Sequence, residues 1–128
     1  MSLVIKKILN NLKNIADGNK IITGQEVATN EYIDGKRVYR KRINCGNLPN
    51  ATSKTVSLSL SNVNIIKIEG IAKNSSDASN NLPLPYMDPR NLQTCVMLSI
   101  ISGYNIALVT AEDKSYYTAY VTVYYTKN

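Results

Sequence analysis

The sequence predicts an all-β fold, an antiparallel β-sandwich with a short N-terminal α-helix ahead of it. Three observations lead there. An Asp34-Gly35 pair sits between two segments of alternating character, and Asp-Gly tolerates the positive φ angles of a tight type I′ hairpin turn. Further alternating runs follow at short intervals, divided by turn residues and with no helical pattern between them. Helical spacing is confined to the first residues, which divides the chain into an oligomerisation segment at 1–23 and a β-sandwich domain at 24–128.

From Leu3 to Ile15 the apolar residues Ile5, Ile8, Leu12 and Ile15 step by three, four and three, the spacing of a coiled-coil seam, and Met1 extends the row backwards. About two heptads make a helix that is marginal in water, so it needs partner helices or the body of its own domain. Ile at both seam positions favours three or four strands over two, and an amphipathic helix packed on its own domain is the alternative. Asp17-Gly18-Asn19 is helix-stopping chemistry.

After a linker to Gly24, residues 27–33 and 36–44 form the hairpin around Asp34-Gly35. The Gly46 to Ser53 stretch, with Pro49-Asn50, reads as turn. Thr55 to Leu60 alternates Val56, Leu58 and Leu60 with polar residues, a half-buried strand. Asn62 to Asn64 turns the chain into a strand over 65–73, with Ile66, Ile68, Gly70 and Ala72 on one face. NSSDASNN at 74–81 is a polar loop, and Pro83, Pro85 and Pro89 argue against a central strand after it, so that region reads as a long exposed excursion. Residues 95–101 and 104–111 flank Ser102-Gly103 as a second hairpin, and the last strand spans 118–126.

Composition narrows the function. The 128 residues carry 15 Lys and Arg against nine acids, a net charge of +6, and all aromatic residues are Tyr, nine of them. The positive balance favours anionic polymers without choosing among them. KRVYRKR at 36–42 interleaves Tyr with cations, which suits stacked bases and phosphates, yet it is equally a solvated or edge-protecting strand. With no His, the commonest general base and metal ligand are missing, and Cys45 and Cys95 match no zinc spacing. Two buried thiols are expected of them, with one disulfide as the alternative. A carboxylate pair remains conceivable among Glu26, Glu31, Asp34, Glu69, Asp88, Glu112 and Asp113, but most fall in turns or beside Lys and Arg. No phosphate-binding glycine loop occurs. The expectation is a protein without catalysis or cofactor, with neither secretion signal nor membrane span.

Recognition then rests on side chains displayed by loops. Tyr86, Tyr104, Tyr116 and Tyr117, with Asp88 and Arg90, are the candidate ligand contacts, because rings can stack on sugar faces while hydroxyls and charges bond to sugar hydroxyls. Packing is the competing role for each Tyr. Tyr39, Tyr120, Tyr124 and Tyr125 read as core or interface.

Residues 32–86, from YIDGKRVYRKRI to LPLPY, together with the closing TAYVTVYYTK, resemble the C-terminal domain of bacteriophage and prophage tail-fibre, baseplate and receptor-binding proteins. The resemblance covers roughly Gln25 to the end and lies in the order of its pieces: the hairpin, IEGIAKN, LPLPY and the Tyr-rich last strand. It implies a β-sandwich that forms a homotrimer at a fibre tip, in the virion tail beside other tail proteins, and contacts host surface saccharide. One departure is Tyr32, where the family commonly carries Trp. A structural role in virion assembly or capping, and a basic nucleic-acid-binding module, are the alternative functions.

Overall fold

The computed structural model describes residues 2–18 and 20–128, and the side chains of these except 13–18, so Met1, Asn19 and the Ile15 side chain lie outside the described residues. Strands account for 57% of the chain and pair antiparallel wherever the register is defined. In chain order the elements are α1 (Leu3–Gly18), β1 (Glu26–Ile33), β2 (Lys36–Asn47), β3 (Ser53–Ser57), β4 (Val63–Asn74), β5 (Asn81–Leu84), a 3₁₀ turn (Leu92–Thr94), β6 (Val96–Ile101), β7 (Asn105–Thr110) and β8 (Tyr117–Lys127). One sheet has the order β1-β2-β8-β4-β5 and the other β3-β7-β6. Among the described residues, no helix is long and apolar enough to cross a membrane.

The chain divides into two compact units. The first comprises Met1–Arg42, Asn62–Lys67 and Val123–Asn128. Its helix starts at Ser2, whose hydroxyl accepts the Ile5 N–H at 3.2 Å and whose carbonyl accepts the Lys6 N–H at 3.1 Å, as an N-cap should. The β1–β2 hairpin turns where expected, with φ of 51° at Asp34 and 78° at Gly35, the two positive angles of a type I′ turn. Val27, Thr29, Val38, Val63, Val123, Tyr125 and Thr126 are its buried residues on the strands.

The β1–β2 pairing is not continuous. Ala28 faces Tyr39 and Tyr32 faces Arg37, so β1 advances four residues while β2 advances two. Thr29 stabilises the resulting bulge: its hydroxyl donates to the Val38 carbonyl at 2.6 Å and accepts the Glu31 N–H at 3.2 Å. The second bond is local, two residues along β1, and the first crosses the hairpin to β2.

The second unit comprises Ile43–Ser61 and Ile68–Thr122. Its core gathers Leu48, Leu58, Ala72, Leu84, Val96, Ile106, Leu108, Ala119 and Val121, all buried. The two sheets meet where Gly70 of β4 faces Leu98 of β6: a Cβ on Gly70 would stand 2.8 Å from the Leu84 Cβ and 3.1 Å from the Leu98 Cδ2. Buried Thr110 donates its hydroxyl to the Pro49 carbonyl at 2.9 Å and fixes the loop that the sequence marked as turn.

Several boundaries differ from expectation. β2 continues to Asn47, and β3 ends at Ser57 because Ser59 takes a φ of 54° and bonds back to the Ser57 hydroxyl at 3.0 Å. β4 starts at Val63, directly after Asn62 with its φ of 54°. Of the row expected to share one face, only Ala72 is buried, while Ile66 and Ile68 remain exposed. The proline stretch is less of an excursion than expected, since Asn81–Leu84 forms a strand; it lies at the sheet edge, where Pro83 needs no ladder donor. Cys45 and Cys95 are both free and buried.

Candidate functional site

The six candidate contacts of the sequence all belong to the second unit, in three local groups. Tyr86 is half-buried and exchanges backbone hydrogen bonds with Val96, at 3.0 and 2.9 Å. Two residues on, the Asp88 carboxylate accepts the Arg90 backbone N–H at 3.0 Å and its Nε at 3.3 Å, while the Arg90 side chain is 90% exposed. So exposed a pair adds little stability. Tyr104 occupies the β6–β7 turn with a φ of 56°, and its carbonyl accepts the Leu58 N–H at 3.0 Å. Tyr86 stands at the first residue of β6 and Tyr104 beyond its last, so about 20 Å of strand separates them and they do not share a site.

Tyr116 and Tyr117 form the third group, with ring centroids 4.6 Å apart and planes inclined by 37°. Only Tyr116 is exposed. Tyr117 is buried, with the Lys114 ammonium 5.9 Å from its ring centroid, and that ammonium also pairs with Glu112 at 2.9 Å. Burial lowers the Lys114 pKa, but the Glu112 partner and the two tyrosines outweigh it and hold the group above its ordinary value. Tyr117 therefore packs, and Tyr116 is the ring on display.

The residues expected to mediate oligomerisation, those with described side chains, lie on an open helix face. α1 rests against β1, yet Ile5, Ile8 and Leu12 are 49%, 52% and 58% exposed, and Val4 and Leu9 widen the same stripe. At 100° per residue these five span about 140° of the helix surface.

The basic hairpin serves local structure first. Arg37 donates Nε to the Thr29 carbonyl at 2.7 Å and lies 5.9 Å from the centroid of the Tyr32 ring. Arg42 donates to the Thr23 hydroxyl at 2.8 Å, and Arg40 to the Lys20 carbonyl, so both bind the linker ahead of β1. Behind Arg37, on the face of Tyr39, is a polar cluster that sequence analysis did not find. The Tyr125 hydroxyl donates to Glu26 at 2.8 Å, Lys127 pairs with Glu26 at 2.5 Å and lies over the Tyr39 ring at 4.3 Å, and Tyr39 stacks on Tyr125 at 6.0 Å.

On the opposite face of the same strands is a cleft of about 390 Å³ within the first unit, lined by Thr29, Asn30, Glu31, Ile33, Val38, Arg40, Ile66, Lys67 and Tyr124. The β1 bulge supplies its wall, because the extra residues carry Asn30 and Glu31 out of the pleat. The Lys67 ammonium stands 5.0 Å from the Tyr124 centroid, a cation–π contact that fixes its position. Sequence analysis placed Tyr124 in the packing class and did not single out Asn30 or Lys67. The available signal was the failure of alternation at Asn30-Glu31-Tyr32-Ile33, two polar residues followed by two apolar ones.

Among the described residues, no three of Cys, Asp and Glu are grouped to hold a metal ion. Compared with known proteins, the chain matches no family model, no curated protein and no solved structure.

Proposed function

We propose that the chain is a non-catalytic attachment domain of a phage or prophage tail fibre or baseplate, a β-sandwich that binds host cell-surface saccharide as a homotrimer in the virion tail. The observation that carries this reading is the uncovered apolar stripe of α1, set directly ahead of an antiparallel β body. Removing an aliphatic side chain from water is worth roughly 1.5–3 kcal/mol when burial is complete, so a stripe of five gains substantially from partner helices. Ile at the seam positions favours three or four of them over two, and three is the number that the fibre-tip resemblance implies. Three copies also raise the strength of weak saccharide contacts through effective concentration, so that shallow individual sites suffice.

The test has two parts. Light scattering on the purified chain is expected to return a trimer mass, and the trimer is expected to sediment with purified host cell walls and to be released by wall-derived saccharide. A monomer, or a folded trimer that ignores cell walls and glycan arrays, overturns the reading.

A second reading, virion assembly or capping, draws on the outward face of the β3-β7-β6 sheet, where Met97 and Val109 stand opposite one another and exposed. Capture of another tail protein by trimer that fails on cell walls would select it.

A further inference from the structure

We infer that the cleft beside the β1 bulge is a ligand site, and that it takes a sugar unit bearing an anionic group, a phosphate or a carboxylate. The inference rests on the attachment reading only for the source of the ligand; the chemistry comes from the cleft itself.

Its size falls in the range that encloses a small molecule, about 300–1,000 Å³, and its walls divide into three kinds. Ile33 and Ile66 offer exposed apolar surface, suited to the C–H face of a pyranose ring. Asn30 and Glu31 offer an amide and a carboxylate, the groups that fix ring hydroxyls by direction. Arg40 and Lys67 bring two positive charges against the one negative charge of Glu31, so the cleft is net positive and favours an anionic substituent.

The placement of these groups is built into the fold. Asn30 and Glu31 stand where they do because β1 carries extra residues that β2 lacks, and Thr29 holds that irregularity with two hydrogen bonds. A regular hairpin would return Asn30 and Glu31 to the pleat and leave no wall. Lys67 is held by the Tyr124 ring, and Arg40 is anchored through the Lys20 carbonyl, so both cations are positioned before a ligand arrives. Preorganisation of this kind reduces the ordering cost of binding.

The experiment is a titration of the isotope-labelled full chain, followed by NMR, with a hexose phosphate, a hexuronate, the neutral hexose and inorganic phosphate as separate probes. The expected result is a set of saturable shifts at Asn30, Glu31, Lys67 and Tyr124, with an anionic sugar bound at least about tenfold more tightly than the neutral hexose or phosphate alone, as charge-assisted bonds imply. Comparing the hexose phosphate with the hexuronate identifies which anion the cleft prefers. Lys67→Gln and Asn30→Ala, both on exposed side chains, are expected to weaken that binding about tenfold or more while thermal melting stays unchanged. Equal affinity for the neutral hexose, shifts confined to other residues, or unaltered binding by both variants overturns the inference. Cell-wall sedimentation of the same variants separates the two claims. Wall binding that survives loss of the cleft sinks the cleft alone, and cleft binding without wall binding sinks the attachment reading alone.

Discussion

At the scale of single residues, the cluster around Tyr125 ties the last strand to the start of β1 through one carboxylate. Burial acts to raise the Glu26 pKa, but hydrogen bonds from Lys127 and Tyr125 outweigh it, so the carboxyl titrates below the 4.5 of an ordinary glutamate. A folded value below the unfolded one means stability that is fully present above pH 4.5 and lost as pH falls through the folded value. Glu26→Gln is therefore expected to flatten the acid limb of a stability-against-pH curve, measured by urea melts, and to leave the curve's shape near neutrality unchanged. Tyr125→Phe is expected to cost about 1 kcal/mol at pH 7, the net worth of a hydrogen bond, and to move the acid limb toward higher pH because Glu26 loses a donor. Cys45 makes a separate prediction. Burial pushes its thiol up to about 11, so at pH 8 only on the order of one thiol in a thousand is ionised and the group should be inert. Disulfide-exchange reagent should find almost no thiol at that position in the native chain and react fully after denaturation; rapid native labelling of Cys45 would contradict its burial.

At the scale of elements, the sequence is most legible where one residue type answers one backbone demand. Asp34-Gly35 set the hairpin because few other pairs accept two positive φ angles, and the last strand was visible because Ala119, Val121, Val123 and Tyr125 keep strict alternation. The bulge was hidden, since Thr29 creates it through its own hydroxyl and no periodicity announces such a bond. The cleft was hidden with it: Asn30, Glu31, Arg40, Lys67 and Tyr124 come from four strands, and which of them share a face depends on that irregularity. Tyr117 shows the opposite limit, because composition cannot separate a displayed ring from a buried neighbour one position away. Gly70 was expected to share a face with Ile66, Ile68 and Ala72, and the reason for a glycine there lies in packing, where a side chain would collide with Leu84 and Leu98. Gly70→Ala is accordingly expected to destabilise by roughly 1–3 kcal/mol, the usual cost of overpacking, read as a lower urea midpoint with unchanged slope. An alanine tolerated without loss would mean that β4 and β6 can separate freely.

At the scale of the whole molecule, the question is what covers α1. A helix of 16 residues has little stability of its own in water, and its contact with β1 leaves the stripe of Val4, Ile5, Ile8, Leu9 and Leu12 open. If three chains bring these stripes together, Ile8 sits in the middle of the seam and is excluded from water only in the assembly. Ile8→Asp then places a carboxylate where no cation of the stripe faces it, and burying an unpaired charge costs several kcal/mol per ion. The trimer is expected to dissociate, with the mass from light scattering falling about threefold, while the strands keep their far-ultraviolet β signal because Ile8 is half-exposed within a single chain. Cell-wall binding should fall by about a hundredfold or more as avidity is lost, although affinity for a monovalent sugar probe stays the same. That divergence between polyvalent and monovalent binding is the decisive readout. A variant that keeps its mass would show that α1 packs only on its own chain, and one that loses monovalent affinity as well would show that the helix shapes the ligand site directly.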